Sequence, residues 1–231
     1  MGTSSALLEK HRDSDSRNKK TQVYEILKSR IVHNDLKPQQ YLNELELCEE
    51  LGVSKTPVRE ALQSLERDRL VVIIPNKGCF VAGISLDLIR EVFEIREVFE
   101  CSAARFAARM PVRKQFVDLL ETHESFMATD DAGIRQALVA GYQIHQIIVD
   151  ASGNSFLSWY YNSILAQILR IRIHFLNRFE SSRLHETSGE HQAILKAIID
   201  GNEDVAEKAM RVHLANSLIS IGQLVLSNRK D

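Results

Sequence analysis

Beyond residue 18, apolar positions recur at helical spacing in every stretch but one. Over 21–34 the series Val23, Ile26, Leu27, Ile31 predicts a first helix, closed by Asp35-Leu36-Lys37-Pro38. Asn43 can cap a second, short helix through Leu51, with Leu47 and Leu51 inward and Gly52 as its left-handed C-terminal residue. Ser54 is a good N-cap, and Pro57 falls in a first turn whose N–H groups have no intrahelical partner. A third helix therefore runs to Arg67, with Val58, Leu62 and Leu65 inside. The exception is 70–81, where Leu70-Val71-Val72-Ile73-Ile74 and Cys79-Phe80-Val81 flank Pro75-Asn76-Lys77-Gly78, the pattern of a β-hairpin. From Ser85 onward the amphipathic pattern predicts helices over 85–109, 111–128, 131–151, 154–178, 183–200 and 203–226. Stripes such as Ile194, Leu195, Ile198, and Val205, Met210, Leu214, Leu218, are those of a helical bundle.

The pattern divides the chain into a polar, aperiodic arm (1–18), a small helix-and-hairpin module (19–82) and an all-helical module (86–228), with the boundary at Ala82-Gly83-Ile84. The fold class is mainly α. Of the 231 residues, 44% are hydrophobic and 26% charged, enough apolar surface for two cores. No apolar run reaches the ~18 residues of a membrane-spanning helix, and Ala6-Leu7-Leu8 is too short for the core of a signal peptide. A cytoplasmic protein without membrane association is expected. Cys48, Cys79 and Cys101 form no CxxC pair and read as reduced thiols. The net charge of −2 does not announce a nucleic-acid binder. Residues 19–82, however, hold ten Lys/Arg against nine Asp/Glu, while 83–231 hold sixteen against nineteen. What matters is which charges share a face.

Helix, helix, glycine turn, capped helix and two-stranded wing is the order of a winged helix-turn-helix, whose third helix enters the major groove. The run Leu51-Gly52-Val53-Ser54-Lys55-Thr56-Pro57-Val58-Arg59-Glu60-Ala61-Leu62, with Leu65-Glu66-Arg67-Asp68-Arg69-Leu70-Val71, closely resembles the DNA-binding head of GntR-superfamily regulators. The resemblance departs at Arg69, where the family has glycine. It implies that Lys55, Thr56 and Arg59 contact bases or phosphates, and that Ser54, Lys77 and Gly78 touch the backbone. Spacing agrees, since Lys55 and Arg59 are four residues apart and share one face. From spacing alone they could equally be solvated charges, with Arg59 paired to Glu60 or Glu66.

Residues 86–228 resemble the all-helical FCD effector domain of the FadR-like subgroup. The matching pieces are Ile95-Arg96 with Glu100, the Ala103-Ala104…Ala107-Ala108 run, Ile144-His145, Gly153-Asn154-Ser155-Phe156-Leu157, the run from Glu190-His191 to Ile198, and His213-Leu214. The resemblance implies a divalent metal, zinc or nickel, held by His145, His191 and His213, with a small carboxylate effector bound to it. The aspartate such sites place four residues before the first histidine is Gly141 here. Spacing alone puts His191 on the stripe of Ile194, Leu195 and Ile198, which three hydrogen-bonded core histidines would also explain. Arg96 lies on the apolar stripe of Val92, Phe93, Phe99 and Ala103; it serves either as an effector-binding cation or as the i+4 partner of Glu100.

These readings converge on a homodimeric regulator that binds a pseudo-palindromic double-stranded operator and responds to a small organic acid. The alternative is a metal-dependent hydrolase with a three-histidine site. It would need an open coordination position and a general base, and no HExxH, GxSxG or P-loop motif occurs.

Overall fold

The computed structural model describes residues 3–111, 114–127, 142–176 and 178–227. It divides into two compact units, Met1–Ile84 and Ser85–Asp231.

The first unit contains α1 (Thr3–Val32), β1 (Tyr41–Leu42), α2 (Glu44–Leu51), α3 (Lys55–Arg67), β2 (Val71–Ile74) and β3 (Gly78–Val81). Helix α1 starts at Thr3 rather than Thr21, so 3–18 are helical and not an irregular arm. The sequence from 3 to 37 has neither glycine nor proline, and extending an existing helix is far cheaper than nucleating one. Val23, Leu27 and Ile31 are buried, as are Val58, Ala61, Leu62 and Leu65 of α3, whereas Ile26 is 39% exposed and lies off the inner stripe. The Asn43 side chain accepts from the Leu45 N–H, and Gly52 closes α2 at φ +64°. The sheet is antiparallel in the order β1-β3-β2, with Tyr41 opposite Phe80 and Val72 opposite Phe80 on its other side. The two-residue β1 was not predicted. Gly78 sits at φ +106°, and a Cβ there would lie 2.6 Å from Tyr41 Cε2, so this corner of the wing requires glycine. Arg69, which replaces a family glycine, also adopts a positive φ of 57°. The left-handed turn is thus kept at a cost of about 1–2 kcal/mol.

The second unit is a bundle of α4 (Leu86–Arg109), α5 (Lys114–Met127), α6 (Tyr142–Ala151), α7 (Ser155–Leu176), α8 (Ser181–Ile199) and α9 (Glu203–Ser227). Gly141 and most of the stretch before it lie outside the described residues. Ser85 caps α4 by accepting from the Leu88 N–H. Helix α4 is central and packs against α6, α7, α8 and α9. Its buried Ala103, Ala104, Ala107 and Ala108 let neighbouring backbones come close. Phe116, Ile144, Ile148, Ile171, Phe175, Ile194, Leu195, Ile198, Met210 and Leu214 fill the remaining core. Val205, expected on the inner stripe of α9, is instead 49% exposed.

Candidate metal and effector pocket, and the exposed face of the third helix

Three helices bring His145 (α6), His191 (α8) and His213 (α9) together in the bundle core, all three buried. Ring centroids are 5.3 Å apart for His145–His191, 5.1 Å for His145–His213 and 4.6 Å for His191–His213. One ring nitrogen from each lies within 4.8 Å of the others, close enough to converge on one ion. Among the described residues this is the one such group of three or more potential ligands.

Two carboxylates hold two of the rings from behind. His145 Nδ1 donates to Glu100 Oε2 at 2.7 Å, and His213 Nδ1 donates to Glu190 Oε2 at 2.8 Å. Occupying Nδ1 leaves Nε2 as the lone-pair nitrogen on both rings, the usual way a carboxylate fixes a metal-binding histidine. Glu100 is fully buried and also accepts from Arg96 Nε at 2.7 Å, Arg96 Nη2 at 3.2 Å and the Tyr161 hydroxyl at 2.8 Å. Burial alone would raise its pKa, but Arg96 and His145 outweigh burial and hold it well below the usual carboxylate range. Burial pushes Glu190 up as well; His213, Arg183 and Asn216 bring it down to about 2. Burial lowers His145 to about 4 despite Glu100, and lowers His213 despite Glu190. Both imidazoles are neutral near pH 7, as ligation requires.

The donor set therefore fits a borderline transition metal. An independent sign is His145 Nε2, which is buried and has no hydrogen-bond partner. Such an atom costs about 1–3 kcal/mol unless something fills its lone pair.

His213 also lines a cavity, open to solvent, between α4, α7, α8 and α9. Arg96, Arg172, Arg183, Thr187 and Ser217 supply its polar wall, and Phe93, Ile171 and Ile221 part of its apolar wall. Of the two roles weighed for Arg96, the ion pair with Glu100 is the one formed, and the same side chain lines the cavity. Arg183 donates to Glu190 at 2.9 and 3.1 Å and to Ser217 Oγ at 3.3 Å. Tyr161, Arg172 and Arg183 were not anticipated, nor was Glu190 as the partner of His213. A detectable signal was arginines interrupting the apolar stripes of α7 and α8.

The hydrolase alternative finds no support among the described residues. It needs a carboxylate free to take a proton at the metal, yet Glu100 and Glu190 each stand behind a ring, held by several donors.

In the first unit, Ser54, Lys55, Thr56 and Arg59 are exposed while Pro57 and Val58 are buried, so α3 presents a polar edge. Ser54 makes no side-chain capping bond, contrary to the expectation from its position. Arg59 pairs with neither Glu60 nor Glu66; its Nε donates to Glu44 Oε2 on α2 at 2.8 Å. Glu66 instead accepts from the Ile73 N–H at 3.1 Å and ties the wing to α3. Lys77 is exposed at the wing tip beside half-buried Gly78.

Comparison with known proteins gives a consistent picture. The sequence model for bacterial regulatory proteins of the gntR family matches residues 19–81, and that for the FCD domain matches 91–216. The HTH-type transcriptional repressor RspR of Escherichia coli (strain K12) is 29% identical over 209 residues, covering 90% of each chain. The HTH-type transcriptional regulator LutR of Bacillus subtilis (strain 168) is 27% identical over 211 residues, 80% of this chain and 93% of LutR. Among solved structures, a GntR transcriptional regulator from Rhodococcus sp. RHA1 superposes with a TM-score of 0.71 at 24% identity, covering 88% of this chain and 97% of the other. E. coli McbR/YncC gives 0.70 at 20% identity, covering 90% and 98%. No described helix is long and apolar enough to cross a membrane.

Proposed function

Because the chain belongs to the GntR family of DNA-binding transcriptional regulators and carries an FCD domain, we propose that its operator affinity is set by a small organic acid bound at a metal in the second unit. The observation that carries this reading is the pair of carboxylates aligning His145 and His213, with His213 at the wall of an arginine-lined cavity.

His145 and His213 hold the ion through Nε2, and His191 completes a three-nitrogen set. Zinc or nickel suits this set, whereas magnesium prefers oxygen. The bound ion supplies a Lewis-acidic position for one effector carboxylate. Arg96, Arg172 and Arg183 oppose the remaining negative charge, while the Ser217 hydroxyl is left to donate, that of Thr187 being given to the Arg183 carbonyl. Gly141 removes one anionic ligand, so the shell depends more on the effector, and a di- or tricarboxylate is the fitting class.

In the cytoplasm, two heads of a homodimer read a pseudo-palindromic double-stranded operator. Lys55, Thr56 and Arg59 face base edges or phosphates, and Ser54, Lys77 and Gly78 approach the backbone. Effector binding acts on DNA through a differential affinity for two arrangements of the chain.

The test is elemental analysis and calorimetry with zinc, nickel and citrate as probes. Substoichiometric metal is expected after purification. It should rise towards one ion per chain when metal and citrate are added together, and be lost in His191→Ala. No metal under any condition, with citrate still bound, would leave the histidines as a metal-free polar wall and overturn the metal reading.

A further inference from the structure

The C-terminal helix α9 turns an apolar stripe away from its own bundle. Val205, Val212, Ile219 and Leu226 stand seven residues apart and are 49%, 48%, 59% and 57% exposed. The buried residues of α9, Ala206, Met210, His213, Leu214 and Ile221, occupy the opposite face. Seven residues fall about 20° short of two full turns, so the four side chains stay close to one line about 32 Å long. Between them lie Lys208, Ala215 and Gly222, completing alternate steps of three and four. A Cβ on Gly222 would meet nothing within 4 Å, so the surface there is open. From Val212 to Ser227 there is no Asp, Glu, Lys or Arg. A helix face left in water normally carries charge. Branched residues at every seventh position, small residues between them and absent charge are the marks of a helix that packs on another helix.

We propose that α9 pairs with α9 of a second copy of this chain, antiparallel, about a two-fold axis passing near Ala215 and Asn216. The inference rests on the reading above of a dimeric operator-binding regulator and names the surface that makes the dimer. In a two-fold contact the same patch serves both copies, so residue i meets j and j meets i. Antiparallel pairing sets Val212 against Ile219 of the second copy and Val205 against Leu226, with small Ala215 where the helices come closest. Charge selects this direction. Parallel pairing would stack Lys208 on Lys208 inside the seam and align the two helix dipoles. Antiparallel pairing lays the charged half of one helix, with Glu203, Asp204, Glu207, Lys208 and Arg211, along the uncharged half of the other.

The area argues for a second element. A stripe about 32 Å by about 10 Å gives roughly 600 Å² over two copies, short of the ~1,200 Å² of a stable interface. Helix α4 can make up the difference. It runs beside α9, joined to it through Arg105 to Glu203 and Glu207, and through Arg211 to Glu97. Next to Glu97 it exposes Val98 (64%), and nearby Ile95 (42%). The exposed aromatics at the start of α7, Phe156, Trp159 and Tyr160, form a compact cluster without a repeat and serve as the control surface.

Sedimentation velocity of the full chain tests the seam. The unaltered chain should be a dimer, and Trp159→Ser should remain one. Val212→Glu with Ile219→Glu places four carboxylates together and should weaken self-association by about a hundredfold or more, with unchanged helical content by circular dichroism. A second test does not depend on destabilising the chain. Ala215→Cys should give a disulfide-linked dimer under mild oxidation, and Val205→Cys should not, because antiparallel copies hold their Val205 residues about 30 Å apart. The unaltered chain, with Cys48 half-buried and Cys79 and Cys101 buried, sets the background. A dimer that survives both glutamates, a dimer lost in Trp159→Ser, or crosslinking at 205 and not at 215 would overturn the proposal while leaving the operator-binding reading intact. A monomeric unaltered chain that still binds duplex DNA tightly would overturn both the seam and the two-headed part of that reading.

Discussion

Glu100 is where the stability of the bundle and its ligand chemistry meet. It is fully buried and takes two N–H groups from Arg96, one hydroxyl from Tyr161 and one N–H from His145. Glu100→Gln keeps the shape and removes the charge, which strands a guanidinium whose side chain is only 8% exposed. Losing one partner of a buried pair costs about 3–5 kcal/mol. The amide oxygen still accepts one bond, so the low end is expected, a fall in Tm of roughly 10 °C for a unit of this size. Arg96→Met and Glu100→Leu combined with Tyr161→Phe remove both charges and the hydroxyl that Glu100 accepts from, leave the His145 Nδ1–H as the one donor without its acceptor, and should return to within about 1–3 kcal/mol of the unaltered protein. That recovery separates structure from function, because the recovered variant still lacks the carboxylate that orients His145. Zinc affinity should fall about 10–100-fold in both variants. Urea unfolding followed by circular dichroism reads the stability, and titration calorimetry with zinc reads the affinity. A cost under about 1 kcal/mol for Glu100→Gln, or unaltered zinc affinity in the recovered triple variant, would refute the reasoning.

Arg59→Ala should weaken binding to a duplex selected from a random-sequence pool by about tenfold or more, a base or phosphate contact being worth roughly 1–3 kcal/mol; fluorescence anisotropy at physiological salt measures it. Glu44→Ala should tighten the same binding by up to about fivefold, because an exposed ion pair of about 0.2–1 kcal/mol no longer competes for Arg59. Gly78→Ala should destabilise the wing by about 1–3 kcal/mol, since it meets both a positive φ and the Tyr41 ring, and chemical denaturation of the full chain should show it. Residues 86–228 expressed alone should sediment as a dimer, and the head alone as a monomer; the reverse would move dimerisation to the head.

Much of the fold was legible because long amphipathic periods and Gly/Pro punctuation dominate the chain. Asn43, Gly52 and Ser85 mark ends that the backbone confirms. What escaped was decided by contacts too short or too distant to leave a period. Tyr41-Leu42 is two residues long and becomes a strand only by pairing with Phe80 and Cys79. The start of α1 has no apolar stripe, so propensity alone extends it to Thr3. Val205 looked like part of an inner stripe because it is apolar and five residues before Met210, but it lies on the opposite face. At the site, the three histidines were readable from family resemblance, yet their orienting acids were not. Glu190 points away from His191 along its own helix, and for that reason it reaches His213 on α9. Arg59 likewise found its partner, Glu44, on a different helix.

Control of the head by the histidine pocket requires that filling the pocket change how tightly the chain holds DNA. Duplex affinity of the full chain should be followed by anisotropy with and without zinc plus citrate, for the unaltered protein and for His191→Ala. Coupling between sites is typically about 1–3 kcal/mol, so affinity should change by about fivefold or more in the unaltered chain and by nothing measurable in His191→Ala. Equal responses in the two proteins, or zinc bound at one per chain with no change in duplex affinity, would contradict it.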